Sequence, residues 1–151
     1  MATQPNREIA RDGLTTLLTA RLVTTDTIVQ EVNNYRKGDF GGQFTVVNVS
    51  SAGAFREAIT MPQPGVRQTL FYLYVDVFVL YAADGWTEAQ AQDRQDLVEA
   101  TIADVVDLNS GLTAYWNAAD YEGTSEIEDV KFGGVPYLWE RIKIGVDGFY
   151  G

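Results

Sequence analysis

The chain has 151 residues, with 11 Lys and Arg against 21 Asp and Glu, a formal net charge of −10 and no cysteine or histidine. Those absences exclude a disulfide framework, a thiolate nucleophile, a zinc–sulfur site and the commonest general base. The acidity argues against a surface that grips nucleic acid through phosphate, while 46% hydrophobic and 12% aromatic residues belong to one folded domain spanning 1–151.

Met1 to Asn6 lead into a charged amphipathic stretch with no continuous apolar region, so no secretory signal is expected. No run of 18 apolar residues predicts a membrane span, and the protein reads as soluble and intracellular when made. Ile9, Ala10, Gly13, Leu14, Leu17, Leu18 and Leu22 recur at spacings of three and four, which predicts a first helix. Pro5 and Asn6 are its start signals, and Glu8 complements its dipole. Short strands are expected over Thr27 to Tyr35 and Phe44 to Val49. Between and after them, long loops are expected at about 36–43 and 50–67, the second carrying Met61-Pro62-Gln63-Pro64-Gly65.

Gln68 to Ala83 reads as a central strand, with apolar or aromatic side chains on both faces. Phe71, Leu73, Val75, Val77, Val79 and Tyr81 form the side expected to pack on helices; Tyr72, Tyr74, Asp76, Phe78 and Leu80 form the other. Thr87 and Gln90 fit a capping box that opens a second helix running to about Asn109, with Trp86 and Ala91 placed as a hydrophobic staple. Leu97, Val98, Thr101, Ile102, Val105 and Leu108 are its expected buried stripe, while its exposed side carries Glu88, Asp93, Asp96, Glu99, Asp104 and Asp107 against Arg94 alone. Asp104 and Asp107 lie near the C-terminus, where the helix dipole disfavours negative charge. Two last strands, Glu126 to Phe132 and Tyr137 to Asp147, meet through Gly133-Gly134-Val135-Pro136. The order predicts an α+β fold, a mainly antiparallel sheet with two helices packed on one face.

Asp76 is the only charge between Gln68 and Ala83. It reads as a gatekeeper against unwanted strand pairing, with Arg141 or Lys143 as its cross-strand partner. The acidic run Asp120 to Asp129 lacks the alternation of a calcium loop and reads as a solvated turn. Without histidine, a nucleophile would need Lys37, Lys131 or a carboxylate as base, and none lies in a hydrolase pattern. No catalytic, cofactor-binding or metal residue is assigned, and no enzyme activity is expected. Charge is also divided along the chain: residues 1–67 hold seven basic and six acidic side chains, residues 68–151 four and fifteen. Such segregation suits a surface that meets a copy of itself head to tail.

The sequence of elements resembles the tail terminator (tail completion) proteins of long-tailed bacteriophages. It runs from an amphipathic N-terminal helix through a strand, a long loop and the aromatic strand LFYLYVDVFVLYAADGW. An acidic helix opened by Trp86-Thr87-Glu88 and a closing hairpin follow. The resemblance implies a homo-oligomeric ring, commonly of six subunits, at the head-proximal end of the tail tube. That ring would stop tube polymerisation and dock to the head connector, after assembly in the host cytoplasm. It implies no cofactor. DNA would pass through the lumen without specific binding, because acidic walls let it slide. Repulsion between copies would be offset by Arg36, Lys37, Arg56 and Arg67 meeting Asp93, Asp96, Glu99 and Asp104 of the next subunit, with Phe40, Phe55 and Met61 adding apolar contact. The alternatives are another neck or head–tail joining protein, or a small cytosolic adaptor or ligand-binding module, which a preformed apolar pocket would mark.

Overall fold

The computed structural model describes residues 6–58, 67–81 and 85–147. It contains α1 (Arg7–Leu18), a π-helical continuation (Thr19–Thr25), β1 (Glu31–Asn33), β2 (Thr45–Ala58), β3 (Arg67–Leu80), α2 (Glu88–Leu108), β4 (Ala118–Tyr121), β5 (Ile127–Phe132) and β6 (Val135–Asp147). The class is α+β, as the alternation predicts. One six-stranded sheet runs β1-β2-β3-β6-β4, and β5 also pairs with β6. Every pairing is antiparallel except β1 with β2.

β3 lies at the centre because it is apolar on both sides. Phe71, Leu73, Val75, Val77 and Val79 face the larger core, with Leu14, Leu18 and Leu22 from the first helix and Val98, Ile102 and Val105 from α2. Phe78 and Leu80 face a second core with Phe40, Val46 and Tyr137. β6 follows the same alternation: Leu138, Ile142, Ile144 and Val146 enter the helix-side core, while Tyr137 joins the other. Gly133 and Gly134, at φ 59° and 80°, form the two-residue turn between β5 and β6 that this twist demands.

Several expectations change. Ser50 to Ala58, expected as loop, continues β2 and pairs with β3 from Ser50↔Tyr74 to Ala58↔Arg67, with a bulge between Ser51 and Gly53. The Ser-Ser-Ala-Gly-Ala run has weak strand preference, and the long partner strand overrides it. Residues 59–66, which include the proline-rich segment, lie outside the described residues, as do residues 82 and 83 at the end of the expected central strand. The strand expected from Thr27 shrinks to Glu31–Asn33, since the helix runs on to Thr25 and the Ile28 and Val29 amides both donate back to the Leu22 carbonyl. The π-helical segment begins and ends on threonines whose hydroxyls donate to backbone carbonyls, Thr19 to Thr15 and Thr25 to Ala20. Ala118–Tyr121, whose last two residues open the run read as turn, pairs with β6. On α2 the Thr87 capping box forms, but Leu97 and Leu108 are 48% and 75% exposed, and Gln95 and Val106 are buried in their place. Ile9 points outward as well.

Gly13 sits inside α1, where glycine costs about 1 kcal/mol relative to alanine. A Cβ there would lie 2.2 Å from the Tyr115 ring, so the glycine lets the helix settle on that ring. Gly13→Ala is expected to lower the urea unfolding midpoint by the equivalent of about 1–3 kcal/mol. In a Tyr115→Ala background it is expected to be neutral or stabilising. Stabilisation in both backgrounds would contradict this packing.

Candidate assembly surfaces

The face of the sheet turned away from the helices carries a polar and aromatic ladder. Register places Asp76 opposite Arg141, and alternation turns both to this side. The Arg141 guanidinium donates to both Asp76 carboxylate oxygens, Nε at 2.8 Å and a terminal nitrogen at 3.2 Å, and the Trp139 indole N–H donates to the first oxygen at 3.0 Å. Asp76 is 3% exposed, and both its carboxylate oxygens accept from these neighbours. Of the two expected cross-strand partners, Arg141 and Lys143, it is Arg141 that pairs with Asp76. Arg141 also lies 4.1 Å from the Tyr74 ring centre, and Lys143 lies 4.4 Å from that of Tyr72. Beside this ladder is an open concavity of about 250 Å³, with Phe78, Phe132, Val130 and Trp139 as its apolar wall and Arg36 and Lys37 at its margin.

On the helix side a chain of hydrogen bonds crosses from α2 to the sheet. Gln95 donates to the buried Glu140 at 3.2 Å, Ser125 donates to the same carboxylate, and Tyr121 donates to Glu99 at 2.9 Å. Burial pushes the Tyr121 phenol up to about 12, so it donates throughout the physiological range. These bonds fix the rotation of α2 and explain why the buried line passes through Gln95. Sequence reading missed Glu140; the signal was a carboxylate on the otherwise apolar face of the last strand. Among the described residues no three Asp or Glu side chains converge as a metal site requires, and Asp120, Glu122, Glu126, Glu128 and Asp129 are exposed.

The candidate contact residues fall into separate groups. Asp93 and Asp96 are exposed on α2. Asp104 lies 3.6 Å from Arg21 with its side chain 63% exposed, and Glu99 is turned toward Tyr121. Lys37 donates to Glu31 at 2.6 Å, and Arg36 reaches Ser50 at 3.4 Å. Arg56 lies over the Phe71 ring at 5.5 Å, next to the half-exposed Phe55. Phe40 is 3% exposed in the chain's own second core, ringed by Phe78, Phe132 and Tyr137. Met61 and the Arg67 side chain lie outside the described residues. The basic groups Arg36, Lys37 and Arg56 thus belong to β2 and its approaches, and the acids belong to α2.

Two outcomes test this geometry. Arg141→Met is expected to cost about 2–3 kcal/mol, less than the 3–5 kcal/mol of a fully buried pair because the arginine is partly solvated. Converting both Asp76 and Arg141 to leucine is expected to restore most of that in urea denaturation. The Lys37 ammonium holds the Glu31 carboxyl below its ordinary value through their hydrogen bond. A lowered carboxyl pKa contributes stability that is present above the usual glutamate value near 4.3 and is lost as pH falls through the lowered one. In a carboxyl-detected NMR titration, Lys37→Met is expected to raise the Glu31 pKa; an unchanged Glu31 would contradict the contact.

No protein-family model and no curated protein matches this chain. Its fold is similar to that of a chain from a structure described as the virion of a native gene transfer agent (GTA) particle. The two are 10% identical, with a TM-score of 0.53, over 91% of this chain and 94% of that one. At that identity the likeness is one of fold.

Proposed function

We propose that this chain is a structural protein of a phage-like virion. In this reading it forms a ring, six copies around a hollow axis, on the head-proximal end of the tail tube, ends tube growth and docks to the head connector. The observation that carries the reading is the fold likeness to a virion-particle chain over nearly the full length of both molecules. It agrees with the resemblance to tail terminators carried by the aromatic strand and the acidic helix. Charge supports it too: the net −10 of each copy would line a bore with negative potential that does not hold DNA. The concavity beside Arg141 speaks weakly for a ligand-binding module instead. At about 250 Å³ it is open to solvent, as are two further concavities of about 310 and 380 Å³, whereas small-molecule sites bury most of their ligand.

The test is the mass and shape of the purified full chain, alone and with tail tubes. Six copies of 16.7 kDa give a particle of roughly 100 kDa, expected in negative stain as a ring with a central hole that caps tube ends. Ion pairs between copies are weak singly, about 0–1 kcal/mol, so at 1 M salt, where the Debye length is about 3 Å, the ring is expected to loosen. A ring indifferent to salt would remove the electrostatic part. A monomer that leaves tube ends bare would overturn the reading.

A further inference from the structure

Resting on that ring reading, we infer that neighbouring copies join through two different surfaces, the outer line of α2 on one and the free edge of β2 on the next. At 3.6 residues per turn, Asp93, Leu97, Asp104 and Leu108 fall on one outward line of α2, and Leu112 follows just beyond its end. Leu97, Leu108 and Leu112 are 48%, 75% and 81% exposed. The last turn of α2 contains no basic residue, yet it holds Asp104 and Asp107, so the negative end of the helix dipole and these carboxylates call for cations from outside. Within the chain the Asp104 ion pair is with Arg21, at 3.6 Å.

The complementary surface lies on β2. β1 covers only Val46 to Asn48, and among the described residues no strand lies beside Val49 to Ala58 on that side. Exposed along this edge are Tyr35 and Phe55, at 55% and 49%, each followed in the chain by an arginine, Arg36 and Arg56. The leucines of α2 are each preceded by an aspartate, Asp96-Leu97 and Asp107-Leu108. Alternation turns Phe55 and Arg56 to opposite sides of the sheet, with Arg56 over the Phe71 ring, so aromatic and basic groups flank the edge of β2 while the exposed line of α2 is aliphatic and acidic, and the two surfaces lie on different elements. A contact between two unlike surfaces of one chain is heterologous, and it closes a ring when the rotation between copies closes. It would also cover an open strand edge, which folded proteins otherwise protect. Size permits it: two patches of about 800 Å² each, the usual share per partner, are about a fifth of the 8043 Å² surface.

Single Arg56→Glu and Asp107→Lys variants of the full chain are each expected to weaken self-association at least tenfold in sedimentation velocity. Combined, they are expected to return it to within about threefold of the unaltered chain. Asp107→Lys places a cation where the helix dipole favours one, so its thermal midpoint is expected to hold or rise while assembly falls. Leu108→Ser, at an exposed position, is expected to do the same without the rise. Rings that form at unaltered strength in Asp107→Lys and Leu108→Ser overturn this contact and leave the ring reading standing. An unaltered chain that stays monomeric at every concentration, alone and with tail tubes, overturns both.

Discussion

The fold turns on one strand that needs cover on every side. β3 is apolar on both faces and has strand neighbours on both edges, with a single carboxylate along its length. β2 and β6 take the edges, α1 and α2 take one face, and the 36–43 segment with β5 and its turn covers part of the other, where Phe40 and Phe132 meet Tyr137 of β6. Asp76 marks where that second core stops. Beyond it the face is held by cross-strand charge and ring contacts, Arg141 on Tyr74 and Lys143 on Tyr72, which tolerate water.

Much of this was legible because it is local or periodic. Alternation over Leu70 to Leu80 gave the two faces of β3. The Thr87–Gln90 pairing gave the start of α2, and the glycine pair gave the last turn. The Asp76 partner followed from the need to satisfy one charge on an apolar strand. What was not legible depends on partners distant in sequence. Nothing in Ser50 to Ala58 announces a strand; that segment is one because β3 is long enough to template it. β4 is four residues without a strong pattern, placed by its pairing with β6. The rotation of α2 was misjudged because apolar periodicity counts Leu97 and Leu108 as core. The polar bonds from Gln95 and Glu99 to the sheet side turn the helix so that these leucines face out.

The same lesson applies to the candidate contacts. Phe40 in a glycine-rich loop reads as an exposed anchor, and hydropathy cannot distinguish that from a plug for a second small core. Arg36, Arg56 and Phe55 gather near one strand edge instead of at the tips of two loops, because the second expected loop is largely strand. The misplaced leucines turn out to be informative. They are the exposed residues on which the inferred contact between copies rests.

The central claim is that this molecule is completed by copies of itself. Amide hydrogen exchange on the isolated chain and on its assembled form tests it most directly, because the outward N–H groups of β2 beyond Ser51 have no strand beside them within the described chain, whereas those of β3 are paired on both edges. The account predicts that the outward-pointing amides among Gly53 to Glu57 exchange quickly in the isolated chain and slow markedly on assembly, with the amides of that segment that pair with β3, and β3 itself, slow in both. Equal exchange of that β2 segment in the two states would contradict it.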